Sequence, residues 1–260
     1  MQVGISTACL YPMELEQSLS TLLSMDFRLF EVFLNTFSEL SPVYLKELKK
    51  HADAYGARIK SVHPFTSGYE GFLLFSEYER RFRDSLEFYK QYFEAANLLG
   101  AEIVVLHGQR DYQYSKLTKE AYFERYAALY ALGKSYGVTL AQENVNQFRS
   151  ETPAFISQMR SYLKDTCAFV CDIKQAVRAG QDPYAVCAAM GERLIHIHIN
   201  DNTPQSDCLL PGSGTMDYDR FRRLIADFGY QGDLIIEVYR SNFKNLQEVC
   251  MARSVVERLI

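Results

Sequence analysis

Four short apolar runs in the second half of the chain each end on a residue able to bind a metal or move a proton. Val138 to Gln142 runs into Glu143, Ala168 to Cys171 into Asp172, Leu194 to Ile197 into His198, and Leu234 to Ile236 into Glu237. Carboxylate oxygen and imidazole nitrogen are donors for Mn²⁺, Co²⁺, Zn²⁺ or, with more oxygens, Mg²⁺. A carboxylate held beside a bound cation is also a competent base. Four matched residues of this kind suit a divalent-metal site that receives a polar small molecule.

The runs themselves indicate how such residues are held. A short β-branched run reads as a buried parallel strand, and a polar residue at its C-terminal tip faces the mouth of an α/β barrel. Two further tips carry histidine, in Ser61-Val62-His63-Pro64 and Val105-Leu106-His107-Gly108. His196 and His198 fall on one strand face, one layer apart. His198 is nearer the tip and is the expected ligand; His196 reads as a buried layer residue and His51 as a surface residue on a helix. Any one of these residues could serve structure alone, as a cap or a satisfied core group. Burying several acids and histidines together without a counter-ion would be costly.

Eight strand-like runs are expected: 2–7, 28–34, 58–63, 102–107, 138–143, 168–172, 194–199 and 234–238. Between them lie helix-period segments at 14–25, 42–55, 77–99, 118–136, 174–179, 184–190 and 217–228, another opening at Thr152-Pro153, and a last one from 245 to 259. Ser41 is the expected N-cap before Pro42, and Gly100 the stop after Leu99. Strand and helix alternating eight times is the pattern of an α/β protein of the (β/α)8 TIM barrel kind. An open doubly wound sheet would carry a Gly-rich turn after its first strand; here that strand leads into Ser6-Thr7-Ala8-Cys9.

The 260 residues suit one such barrel, and no Pro/Gly/Ser linker or charge run divides them, so residues 1–260 read as a single domain. Hydrophobic residues make up 48%, enough for a large core. A net charge of −4 argues against a nucleic-acid backbone as partner. No signal peptide or membrane-length apolar run is read. The six cysteines show no CxxC pair and fit free thiols in a reducing cytoplasm. A homo-oligomer is compatible with all of this.

The chain resembles the xylose isomerase-like TIM barrels, sugar and sugar-phosphate isomerases and epimerases that also include endonuclease IV. The resemblance spans nearly the whole chain. It rests on the two histidine tips, Gln142-Glu143-Asn144, His198-Ile199-Asn200-Asp201, Pro211-Gly212-Ser213-Gly214 with Asp217, and Ile236-Glu237. It implies that Glu143, Asp172, His198 and Glu237 bind one divalent cation. It further implies that Glu143 and Glu237 work on opposite substrate faces, one removing a proton through a metal-stabilised enediolate and the other returning it. His63, His107, Asn144 and Lys174 then fall on the substrate side, and His63 with His107 leaves room for a second ion. The implied partner is a sugar, keto-sugar or sugar phosphate.

Some positions depart from the branches of this family. A histidine three residues after the strand-six aspartate is replaced by Gln175, and one before the Gly-x-Gly turn by Cys208. Both changes count against a trinuclear phosphodiesterase, the alternative enzyme; a non-catalytic sugar-binding barrel is the third reading. An arginine six residues after the strand-seven histidine is replaced by Pro204. Lys174, Arg110 and Arg240 are the cations that could replace it, although a surface charge is the commoner fate of each. Tyr11, Phe33, Phe65 and Tyr239 near strand ends could stack on sugar C–H faces, though among 18 Tyr and 17 Phe most rings serve the core.

Overall fold

A computed structural model describes residues 1–110 and 117–258. Eight parallel strands close into a barrel: β1 (Val3–Ser6), β2 (Leu29–Phe33), β3 (Arg58–His63), β4 (Ile103–Leu106), β5 (Thr139–Glu143), β6 (Phe169–Asp172), β7 (Leu194–Ile199) and β10 (Leu234–Ile236). An antiparallel pair, β8 (Asp201–Thr203) and β9 (Ser206–Leu209), follows β7. All eight expected strands are present and neighbour one another in sequence order around the ring. This hairpin, turning at Pro204-Gln205, lies within the stretch between 199 and 217 for which the sequence indicates only a loop.

Alternation along each strand sorts the residues between two environments. Val104, Leu106, Leu140, Phe169 and Cys171 pack outward into the large core shared with the helices. Ile103, Val105, Ala141 and Val170 form a separate cluster. Two positions past its last members come His107, Glu143 and Asp172, on the same strand faces. The same parity carries Ser61 to His63, Ile235 to Glu237, and Leu29 through Glu31 to Phe33. Strand period thus aims the reactive residues into the barrel mouth.

The helices start largely where local chemistry allows. Thr118, Thr152 and Asn245 cap theirs by accepting from the backbone N–H of Ala121, Phe155 and Glu248. Ser41 occupies the expected cap position, yet its hydroxyl makes no capping bond; Pro42 sets the first turn instead. Gly100 ends the 79–99 helix with φ +70°, a left-handed conformation open to glycine. The last helix runs Leu246–Glu257, and its expected end at residue 259 lies outside the described residues. No helix among the described residues is long and apolar enough to cross a membrane.

Candidate metal centre

His198, at the tip of β7, is the hub of the site. Its Nδ1 lies 3.3 Å from Glu143 Oε1, 3.3 Å from Glu237 Oε2 and 3.8 Å from Asp172 Oδ2. One donor atom from each of these four residues lies within 4.8 Å of the others. Register sets them side by side: Asp172 pairs with His198 across β6 and β7, and His198 with Ile235 of β10. The structure therefore gathers all four residues singled out as ligands.

Beneath them lies a residue that sequence reasoning missed. Glu31 on β2 is fully buried, and its Oε2 accepts from Ser61 Oγ (2.8 Å) and from the Nε2 of His198 (3.0 Å) and His196 (3.2 Å). A divalent cation replacing the Nδ1 proton would meet a His198 lone pair turned toward the three carboxylates, with the other ring proton held on Nε2 by Glu31. A carboxylate behind a histidine fixes ring orientation and raises ligand basicity. The available signal was an acid breaking the apolar run Leu29-Phe30-Glu31-Val32-Phe33. A register shift between Phe30 and Glu31, which puts Glu31 beside Ser61, could not be read from it.

The cluster draws in positive charge. Burial opposes ionisation of Glu31 and Glu143, but His198 and His196 for the first, and His107, His198 and His63 for the second, hold both well below the ordinary carboxylate range. Burial disfavours a charged His198, yet Glu31 and then Glu237 raise its pKa well above the imidazole value. Burial, reinforced by Asp172 and Glu143, raises Glu237, with Lys174 and His198 pulling the other way. Glu143 Oε2 and Glu31 Oε1 are buried without a well-formed hydrogen bond. Three carboxylates converging on one imidazole nitrogen, with buried oxygen unsatisfied, fit a hard or borderline divalent cation that takes the place of its proton.

Two histidines extend the site. His63 Nε2 and His107 Nε2 lie 3.0 Å apart, and His107 Nε2 is 3.0 Å from Glu143 Oε2. His63 Nδ1 is 3.3 Å from the Pro64 carbonyl; a proton assigned there leaves its Nε2 lone pair facing the cluster. These two residues and Glu143 form a second group with metal-ligand spacing.

Lys174 is not the surface charge that such a lysine commonly is. It is buried, with Nζ 2.5 Å from both Asp172 Oδ2 and Glu237 Oε2. Asn144 has both ends of its amide on the Asp172 backbone, donating to its carbonyl and accepting from its N–H at 2.8 Å each. That clasp ties β5 to β6 directly beside Glu143. Arg110 donates to Gln147 and Arg240 to the Phe243 carbonyl. Gln175 Oε1 accepts from Asn146 N–H, and the buried Cys208 thiol donates to Asn242. Asp201 collects the N–H groups of Gly212, Gly214 and Met216, pinning the Pro211–Gly214 turn beside the mouth.

A cavity of about 380 Å³ opens over the centre. Glu143, Glu237, His63, His107 and Lys174 reach its wall, and Tyr11, Phe33, Phe65 and Tyr239 supply the rings expected there. Phe33 stacks on His63 at 4.6 Å between centroids. A larger hollow of about 600 Å³ lies at the opposite barrel end, around Met1, Arg28 and Arg58. Its charges are spent in ion pairs such as Arg58–Asp233, and that barrel face ordinarily serves stability.

The fold is thus a closed parallel barrel with a carboxylate–histidine cluster at the C-terminal ends of its strands. The chain belongs to the xylose isomerase-like TIM barrel family, which it matches over residues 19–259. An uncharacterised protein of Methanocaldococcus jannaschii is 24% identical over all of this chain and 89% of its own length. A D-tagatose 3-epimerase-like protein superposes with a TM-score of 0.81 at 22% identity, covering 100% of this chain and 97% of the other. The D-psicose 3-epimerase of Clostridium cellulolyticum H10, solved with D-tagatose, gives 0.80 at 16% identity, covering 100% and 98%.

Proposed function

We propose that this protein is a divalent-metal-dependent isomerase or epimerase of a small sugar, keto-sugar or sugar phosphate. The observation that carries the reading is the placement of Glu143 Oε1 and Glu237 Oε2, each 3.3 Å from His198 Nδ1. Glu143, Asp172, His198 and Glu237 would hold the cation, which supplies positive charge to stabilise an enediolate as it develops on the substrate. The donor set suits Mn²⁺, Co²⁺, Mg²⁺ or Zn²⁺. Support from likeness comes from the two solved barrels, a D-tagatose 3-epimerase-like protein and a D-psicose 3-epimerase.

The protein's own groups divide the remaining work. Glu143 and Glu237 carry the proton transfers, one taking a proton from the carbon beside the carbonyl and the other returning one, a task carboxylates perform when placed within hydrogen-bond reach. His63 and His107 face substrate hydroxyls, or hold a second ion with Glu143. Lys174 lines the same cavity and offers a cation to the substrate. Asn144 acts here as a positioning residue, since its amide is committed to Asp172. The four rings exclude water and cover sugar C–H faces. A cavity near 380 Å³ is of the size class that encloses small ligands.

The test is turnover of a panel of ketoses and ketose phosphates by protein stripped with a chelator and reloaded with each cation in turn. Activity that appears with a divalent ion and vanishes on chelation supports the reading. Metal uptake with no turnover across the panel favours a binding barrel instead.

A further inference from the structure

The centre already contains a cation of its own. Asp172 uses Oδ1 to cap the Ile173–Arg178 helix through the N–H of Gln175, so Oδ2 is the oxygen left for the cluster. Lys174, the second residue of that helix, returns its ammonium to this Oδ2 and to Glu237 Oε2. These same two oxygens face His198 Nδ1, at 3.8 and 3.3 Å. A cation coordinated by His198 Nδ1, Asp172 and Glu237 therefore needs the atoms that Lys174 holds.

We propose that the Lys174 ammonium is a tethered place-holder for the divalent cation, displaced from Asp172 and Glu237 when the ion enters. The inference rests on the metal reading above. Sharing is disfavoured because two positive charges would sit within a few ångströms of each other where little water screens them. With only 3% of its side chain exposed, Lys174 has no solvent to hold it once its partners are taken. An exit is at hand: Lys174 lies on the cavity wall, with Nζ 5.6 Å from the centroid of the Tyr239 ring. An aromatic face receives an ammonium well. Arg178, the other cation beside that ring, is held by Asp207 and does not compete for the carboxylates. The place-holder keeps the carboxylates paired while no ion is present and delivers a positive charge to the substrate side when one is.

Amine-reactive labelling followed by peptide mass spectrometry, with and without saturating Mn²⁺, tests this on the wild-type protein. Lys174 labelling should be low in chelator-treated protein and rise about tenfold on loading, as a buried ion-paired amine becomes accessible. Lys60, at the other end of the barrel and paired with Glu102, should not change. Calorimetric titration of Lys174→Met should show Mn²⁺ binding about tenfold or more tighter than wild type, because the competing charge is gone. Equal Lys174 labelling in the two states overturns the displacement, whatever affinity the variant shows. Failure of both proteins to take up Mn²⁺ overturns the metal reading and this inference with it, an outcome distinct from binding without displacement.

Discussion

Glu31 Oε2 stands 3.0 Å from His198 Nε2, on the side of the imidazole opposite the three carboxylates that face Nδ1. This places the acid where it sets the direction of the histidine lone pair without itself reaching the cavity. Glu31→Gln should therefore weaken divalent-metal affinity by about 10–100-fold, the usual cost of losing such a support. The variant should keep its fold, because glutamine fills the same space. Calorimetric titration with Mn²⁺ checks it, and unchanged affinity would remove Glu31 from the account.

Ion binding should also register in stability. Burying four carboxylates (Glu31, Glu143, Asp172 and Glu237) around one imidazole is offset only in part by Lys174 and the histidines. A ligand present at 100 times its Kd stabilises by about 2.7 kcal/mol. For a domain of this size that is a rise in Tm of roughly 5–10 °C. Thermal unfolding with Mn²⁺ and with a chelator measures it; coincident curves would contradict a tight site.

Glu70 gives a pH dependence of known sign. It is fully buried beneath the loop carrying His107, and burial pushes its carboxyl from 4.5 up to about 8, against the N–H of Gly108 and the hydroxyl of Tyr89. The folded state thus holds a proton that the unfolded chain releases. Its contribution to stability is full below pH 4.5 and is lost as pH rises to about 8. The slope from this group is at most about 1.4 kcal/mol per pH unit. Urea unfolding across that window should show wild-type stability falling relative to Glu70→Gln. Parallel profiles would mean the carboxyl is ionised throughout.

Gly108 follows His107 with φ +89°, and a Cβ there would meet the Tyr122 hydroxyl. Gly108→Ala should cost about 1–3 kcal/mol and displace His107. Gly56 also has positive φ but open space around it, so Gly56→Ala should cost less. Chemical denaturation of the pair separates steric from backbone strain. An equal loss in both would deny the close packing beneath His107.

Much of this was legible in the chain because a barrel makes strand tips and reactive positions coincide. Glu143, Asp172, His198 and Glu237 each close an apolar run, and period-two alternation then leaves them one direction to point. Glu31 escaped because it lies inside its run, where a register shift sets its neighbours. Lys174 falls on the substrate side in the sequence, but its pairing with two carboxylates is not legible there. A lysine in the first turn of a short helix is usually solvated, and only the closure of the barrel, with β6 and β10 on either side of β7, brings Asp172 and Glu237 to it. Asn144 has a substrate-side place by resemblance, but its amide is committed to the Asp172 backbone, a clasp between different strands that the sequence does not show.

The central claim is that Glu143 and Glu237 exchange protons with a bound sugar. The direct measurement is deuterium incorporation from D₂O, followed by mass spectrometry, into the carbon beside the carbonyl of a ketose turned over by the metal-loaded protein. Incorporation is expected with the wild type, falling by about 10²–10⁴-fold in Glu143→Gln and in Glu237→Gln. Exchange that persists at the wild-type rate in both variants would contradict the assignment.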